Sequence, residues 1–396
     1  MDMVFVYEDK IARDTNGNYY VGSAFSQKVF DRYLQHFDHI ILLMREAEVA
    51  PDDTVALSRM NRINTERIDV VLLPNPTASI RHYLNPRVHA AFKSIVLNEI
   101  KPDRAVIVRV PSTSGTIAAD YCHKHGIPFL AEAIGCPWDS LWNHSLRGKL
   151  LAPASWLDMR RVMRHAPYSV YVTSEFLQHR YPCSGITASI SDVELRPLDP
   201  SVLDARIQRI RNHSGRLKIA TSGALIAVKG QKYVIQAIAK LKAQGNDGFE
   251  YHLAGSGDDE TLRKLAKELY VEDLVVFEGR LAHEKVFPWL DEMDLYIQPS
   301  LTEGMPRALI EAMSRGLPAL GSGTGGIPEL LGEDCIFSRK GVDALARLLP
   351  TITPEKMERM AARNFERAKE YQKETLDLLR FDFYSAFANA AAGEKQ

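Results

Sequence analysis

The run LTEGMPRALIEAMSRGLPALGSGTGGIPELL, residues 301–331, decides the fold. Just before it, Asp294-Leu-Tyr-Ile-Gln-Pro-Ser300 alternates apolar and polar residues and ends in Pro-Ser, so it reads as a buried strand reaching its tip. Pro306 suits the first position of a helix, where a missing N–H loses no partner. The following Ala308-Leu-Ile-Glu-Ala-Met313 continues with good helix formers. Strand, turn, helix and then a Gly-rich turn make a βα unit of an open α/β sheet, and such sheets bind ligands beyond the carboxyl ends of their strands. Glu303 falls in the loop before the helix and Glu311 on the helix itself, eight positions on. A loop carboxylate can accept hydrogen bonds from sugar hydroxyls, one on the helix can hold a ribose, and the helix N-terminus offers N–H groups to a phosphate. Gly304 removes the side chain that would keep a ligand off the backbone, and Met305 and Pro306 complete the loop. Two isolated acids would be ordinary solvated residues; the ordered pattern around them points to a site.

Working outward, short β-like runs alternate with longer helical segments. In the first half they cover residues 3–7, 39–44, 69–73, 105–110, 128–132 and 169–173, with helical pattern over 26–36 and 116–125. Such alternation predicts parallel strands joined by crossover helices. Two prolines in Leu195-Arg-Pro-Leu-Asp-Pro-Ser201 mark the best linker. Beyond it the alternation restarts over 216–222, 250–254, 275–278, 294–299 and 318–321, and residues 354–392 read as helices. Two Rossmann-like domains, 1–195 and 202–370, facing a shared cleft are the economical α/β architecture.

Bulk properties narrow the function. Hydrophobic content of 45% and charged content of 25% are those of a globular protein, and a net charge of −1 gives no sign of bulk nucleic-acid binding. Cys122, Cys136, Cys183 and Cys335 are spread without metal-ligand spacing, and the 12 histidines form no ligand cluster, so no metal and no cofactor are expected. An acidic N-terminus that opens a strand is no signal peptide, and the longest apolar runs are too short to span a bilayer, so the expected location is cytoplasmic.

In the second half, Ala220-Thr-Ser-Gly-Ala-Leu-Ile-Ala-Val-Lys-Gly230 follows the first strand. Gly223 lets a ligand approach, and Lys229, six residues on, can reach a diphosphate as a flexible point charge. Leu253-Ala-Gly-Ser-Gly-Asp258 is a second glycine turn, with Gly255 and Gly257, and 321–328 is a third that either lines a diphosphate or only connects strand to helix. From Arg216 to Leu331 the chain resembles retaining glycosyltransferases of the GT-B fold, nearest glycosyltransferase family 4, through its Glu-x7-Glu signature. The resemblance implies that Glu303 contacts the donor sugar near the reacting carbon, with Lys229 as its catalytic partner at the diphosphate. It further implies that Glu311 binds the nucleotide ribose, that Gly223, Gly230, Gly304, Met305, Pro306, Gly255 and Gly257 shape the donor pocket, and that the stretch with Arg280 and Leu281 reads the base. The donor, UDP- or GDP-linked, is then a substrate, and residues 371–396 are expected to cross back to the first domain. One position departs from the family's Gly-Arg-Leu-x-x-x-Lys-Gly: Ala224 stands in place of the arginine. Alanine cannot grip phosphate, so either Lys229 carries the charge alone, or Arg307 helps, or transfer is reduced or lost.

The acceptor side is less marked. Gly22-Ser23 is the nearest match to the family's early glycine loop; Tyr19 and Tyr20 can stack on a sugar or simply pack. Glu132 and Asp139, just past a predicted strand, are candidate sugar contacts, and Trp138 is either a carbohydrate platform or core. Residues 142–165 carry Arg147, Lys149, Arg160, Arg161 and Arg164 against Asp158, with Trp156, Met159 and Met163 at helical spacing on another side. Such a helix either lies on an anionic membrane or shows a solvated basic face. The expected activity is transfer of a hexose-type sugar to a glycan or lipid-linked acceptor in surface polysaccharide or glycolipid assembly. A GT-B sugar-nucleotide epimerase and a nucleotide-sugar-binding protein without transferase activity are the alternatives.

Overall fold

The computed structural model describes residues 1–22, 25–76, 81 and 85–393. It contains two separate sheets with helices packed around them. The first is built on β1 (Met3–Arg13), β2 (Tyr19–Val21), β3 (Ile40–Glu46), β4 (Asn61–Arg62), β5 (Ile68–Leu73), β6 (Ala105–Val110), β7 (Phe129–Ala133), β8 (Tyr168–Tyr171) and β9 (Ile186–Ser189). Its parallel core runs β5-β3-β1-β6-β7-β8-β9. The second, all parallel, comprises β10 (Leu217–Ser222), β11 (Phe249–Ala254), β12 (Val275–Gly279), β13 (Leu295–Gln298), β14 (Ala319–Ser322) and β15 (Ile336–Phe337), in the order β12-β11-β10-β13-β14-β15. Strand order reverses between β1 and β6 in one sheet and between β10 and β13 in the other. Crevices open beyond the strand ends at such reversals.

The predicted strands are all present, with ends within one or two residues except in β1. That strand continues to Arg13, because its second part pairs antiparallel with β2, Ile11 opposite Val21 and Arg13 opposite Tyr19. Asp14 closes the hairpin by accepting the N–H groups of Asn16 and Asn18 at 2.9 and 2.8 Å. The charges of Glu8, Asp9 and Lys10 break the apolar run and conceal this extension from a reading by hydrophobic pattern. Residues 195–201 are partly ordered rather than a plain linker. Asp199 caps the helix Pro200–Arg211, with Pro200 in its first turn, where proline is tolerated.

Two chain crossings join the halves side by side. The Leu195 N–H donates to the Tyr371 carbonyl at 3.4 Å, and the Lys373 N–H donates to the Leu195 carbonyl at 2.8 Å. Helix Lys373–Ala391 then packs on the first sheet's side, burying Leu376, Arg380, Tyr384 and Phe387. Its Tyr384 hydroxyl donates to Glu132 at 2.5 Å, beside Tyr33, which donates to the same carboxylate at 2.7 Å. Arg109 pairs with the other oxygen of Glu132 at 3.1 Å. Burial first, and then the Glu132 carboxylate, push both phenols well above the usual tyrosine range, so they remain donors. Replacing Tyr384 with Phe removes one donor from a buried carboxylate and is expected to destabilise the fold by about 1–3 kcal/mol. Urea melts of wild type and Tyr384→Phe will measure it; an unchanged midpoint would mean that the final helix is not anchored here.

Candidate active site

Four backbone turns converge at the β10–β13 reversal. After Ser222 the chain passes Gly223, whose φ of +141° is poorly accessible to other residues and whose Cβ position faces open space. The turn then runs through a short 3-10 segment, Ala227–Lys229, to Gly230. A Cβ on Gly230 would lie 2.1 Å from the Pro299 carbonyl oxygen, and the Leu301 N–H donates to the Val228 carbonyl at 2.7 Å. Glycine is therefore required where this loop crosses the end of β13. The turn after β11 abuts the first: a Cβ on Gly255 would lie 1.8 Å from the Gly223 carbonyl oxygen, and one on Gly257 2.3 Å from that of Leu225. The turn over 323–326 presses on the Glu303 loop from the other side, with the Gly326 N–H donating to the Gly304 carbonyl at 2.8 Å. It buttresses the carboxylate-bearing loop from behind.

This packing brings Lys229 and Glu303 together, 74 residues apart in sequence, with Nζ donating to Oε1 at 2.6 Å. The same oxygen accepts from the Ser300 hydroxyl at 2.6 Å and the Gln298 amide at 3.1 Å. Among the described residues no hydrogen bond reaches Oε2, so one oxygen is anchored and the other is left for a ligand. The chain of polar contacts runs deeper: Tyr296 donates to the Gln298 side-chain oxygen at 3.2 Å and lies 3.3 Å from the Ser222 hydroxyl. Tyr296, Gln298 and Ser300 are spaced by two along β13 and its extension, so they share a face. That period-two run of polar groups on an otherwise apolar strand was the sequence signal for these three supporting residues.

Helix Arg307–Ser314 follows, with Pro306 as its N-cap rather than its first residue. The N-cap also contributes no intrahelical N–H, so proline is equally tolerated one position earlier. The helix buries Leu309, Ile310, Ala312 and Met313, while Glu311 is only partly buried, within electrostatic range of Tyr296, His283 and Arg307. Burial raises the Glu311 pKa, partly offset by His283 and Arg307. No hydrogen bond to its carboxylate occurs among the described residues. A desolvated, unpartnered carboxylate is suited to receive hydroxyl donors from a ligand. Met305 is buried beside Gly326, and Gly304 packs on the first half, where a Cβ would lie 2.4 Å from the Ile134 carbonyl oxygen. Ala224 is exposed next to Gly223, and Arg280 and Leu281 follow Gly279 at the end of β12, where the Gly255 N–H donates to the Gly279 carbonyl at 2.8 Å. Among the described residues no group of three or more His, Cys, Asp or Glu is arranged to hold a metal ion.

On the opposite wall the arrangement differs from expectation. Glu132 is buried and consumed by Tyr33, Tyr384 and Arg109, so it is not presented to a sugar. Asp139 is likewise buried, paired with Arg180 at 3.5 Å and, across the cleft, with Arg339 at 3.2 Å. It acts as a latch between halves. Gly22 ends the β1–β2 hairpin with the Asp9 carboxylate as its nearest neighbour, and Ser23 lies outside the described residues. Trp138 is partly buried and stacks on Trp142. What sequence reasoning missed is Asp192. Its side chain is 44% exposed, and although partial desolvation pushes its pKa up, Arg109, Arg380, Arg307 and Arg32 hold it below the usual carboxylate range. Arg307, the first residue of the helix that follows the Glu303 loop, is close enough to act on Asp192 and on Glu311 alike. No local pattern marked Asp192, because its arginines come from four separate segments.

Residues 216–352 match the family model of glycosyl transferases group 1. The chain is 30% identical over 354 residues to Protein CapJ of Staphylococcus aureus, covering 88% of this chain and 85% of that one. It belongs to the group 1 glycosyltransferases. The transferase is also 34% identical over 165 residues to the amylovoran biosynthesis glycosyltransferase AmsK of Erwinia amylovora, 40% of each chain. Among solved structures, Anabaena HepE in complex with UDP-glucose superposes with a TM-score of 0.58 at 16% identity, over 98% of this chain and all of that one. The fold of this transferase is accordingly GT-B.

Two outcomes test the geometry. Gly230→Ala forces a side chain into the Pro299 carbonyl at φ +74° and is expected to lower stability by roughly 3 kcal/mol or more, read by chemical denaturation. Glu311→Gln removes a carboxylate whose folded pKa is raised, so ionisation at neutral pH works against folding. The variant is expected to melt higher than wild type above the folded pKa, and the difference should vanish as pH falls below the unfolded value, where the carboxyl is neutral in both states. A melting-temperature difference independent of pH would contradict this assignment.

Proposed function

We propose that this protein is a retaining glycosyltransferase that moves a hexose-type sugar from a UDP- or GDP-linked donor to a glycan or lipid-linked acceptor, in surface polysaccharide or glycolipid assembly. The observation that carries the reading is Glu303, held through one oxygen beside Lys229 at the strand reversal, with Glu311 unpartnered on the adjoining helix. The amylovoran transferase among its relatives and the UDP-glucose bound to its structural neighbour support the pathway and the donor class. The domain of 202–370 would hold the donor and that of 1–195 the acceptor.

In this mechanism the donor diphosphate lies over Gly223 and the N-terminus of helix Arg307–Ser314, where N–H groups and Lys229 meet its charge. The free oxygen of Glu303 receives sugar hydroxyls and faces the positive charge that develops at the anomeric carbon. Glu311 holds the ribose. The bond from the anomeric carbon to the β-phosphate oxygen breaks while the acceptor oxygen bonds to that carbon on the same face. The acceptor's proton passes to the departing phosphate, so no separate protein base is needed. With Lys229 serving the leaving group and Arg307 standing near, the missing arginine at 224 is compensated, and the reaction is expected to persist in excess EDTA.

Thermal stabilisation by a panel of UDP- and GDP-sugars tests donor binding directly, since ligand at about 100 times its Kd adds roughly 2.7 kcal/mol. One nucleotide class should shift wild type clearly. Glu303→Gln should keep that shift for free nucleotide but lower kcat/KM roughly 100-fold or more. NMR of the product should show the donor's anomeric configuration retained. No shift with any nucleotide sugar would overturn the reading.

A further inference from the structure

The basic helix of the first half turns a different face outward than its methionine stripe suggested. In helix Leu146–His165 the residues Gly148, Ala152, Met159, Val162 and Met163 point inward and are buried. Gly148 permits this packing, because a Cβ there would lie 2.2 Å from the Leu141 carbonyl oxygen. The outward side is apolar over its first three turns: Leu146 is 79% exposed, Leu150 82% and Leu157 59%, at spacings that place them on one face. Leu151 and Trp142, 50% and 42% exposed, extend the patch. Lys149 lies over the Trp142 ring at 5.7 Å and Arg147 stands on the flank, so the patch is rimmed by cations. One further turn along, Arg160 and Arg164 continue the outward side. Over this helix five Lys/Arg face one acid, in a chain whose net charge is −1.

We infer that this face is a docking surface for an anionic lipid bilayer, with Leu146, Leu150 and Leu157 entering the acyl boundary and Arg147, Lys149, Arg160 and Arg164 at the headgroups. Solvated helices place polar residues outward, whereas leucines on successive outward turns, ringed by basic side chains and an indole, match the layered polarity of a membrane surface. Charge complementarity selects this occupant: a second copy would bring the same cations face to face. No described helix is long and apolar enough to cross a membrane, so the contact is peripheral. The patch adjoins the cleft, since Asn143, three residues before Leu146 and at the end of the preceding helix Pro137–His144, donates to the Leu301 carbonyl at 3.1 Å at the root of the Glu303 loop. Docking there would deliver a lipid-linked acceptor to the site; only that consequence rests on the transferase reading.

Co-sedimentation of the full chain with vesicles tests the surface without any assay of transfer. Wild type is expected to bind phosphatidylcholine vesicles containing phosphatidylglycerol and to bind pure phosphatidylcholine far more weakly. The variants Leu146→Gln/Leu150→Gln/Leu157→Gln and Arg147→Glu/Lys149→Glu should each lower partitioning about tenfold or more. Both should keep the wild-type melting temperature and nucleotide-sugar shift, because these side chains lie outside the core and the donor site. Equal partitioning of wild type and variants, or no binding to the anionic vesicles, would overturn the inference. So would a dimer in sedimentation velocity that Leu150→Gln dissociates, which would show a second copy covering the face.

Discussion

The closeness of four backbone turns at the β10–β13 reversal is the constraint on which the site depends. Gly230 under Pro299, Gly255 against Gly223, Gly257 against Leu225 and Gly325 beneath Glu303 are approaches of main chain to main chain that leave no room for a Cβ. Each clash lies between 1.8 and 2.3 Å, well inside contact distance, so relaxation of a neighbouring side chain cannot relieve it. Once these turns are seated, Lys229 and Glu303 have little choice of position. The carboxylate is held by Ser300, Gln298 and the lysine on one oxygen, and its own loop is pressed from behind by 323–326. A charged group held this firmly needs little reorganisation when charge develops opposite it.

A second set of contacts sets how the two halves meet. The Glu329 carboxylate accepts the N–H groups of Ser174 and Phe176, 2.7 and 2.6 Å away, and so caps a helix on the opposite half. Arg339 reaches Asp139, Asn143 reaches the Leu301 carbonyl, and the final helix inserts Tyr384 beside Tyr33 over Glu132. Most of these are polar and lie at the cleft edge, where water can replace them. The Tyr384 anchor is buried and lies away from that edge. At the crossing of Leu195 and Gln372 the halves are joined by backbone pairing as well.

The α/β alternation and the Glu303–Glu311 pair were legible because each rests on local chemistry, whereas the strand order, and with it the β10–β13 reversal, came only from the pairing of distant strands. A parallel buried strand reads as an apolar run, a helix start accepts proline, and a glycine after a strand marks an open turn. The β1–β2 hairpin was not legible, since its strand half is charged and its pairing is set by Asp14. Glu132 and Asp139 looked like cleft acids because both follow a strand end, and nothing near them in the chain announces Tyr384, Arg109 or Arg339. The outward leucines of helix Leu146–His165 were hidden for a related reason. Two apolar stripes on one helix cannot be ranked until packing shows which of them meets the core.

The sequence by itself determined the fold class, the two-part organisation, and the identity and order of the carboxylates and the lysine in the candidate site. These depend on periodicity and on residue chemistry within a dozen or so positions. Tertiary structure alone decided which oxygen of Glu303 is left free, which acids are consumed by arginines, and which face of the basic helix looks outward. Those outcomes draw on contacts such as Lys229–Glu303, Arg339–Asp139 and Tyr384–Glu132, 74, 200 and 252 positions apart, and such contacts leave no trace in the local pattern that the chain presents.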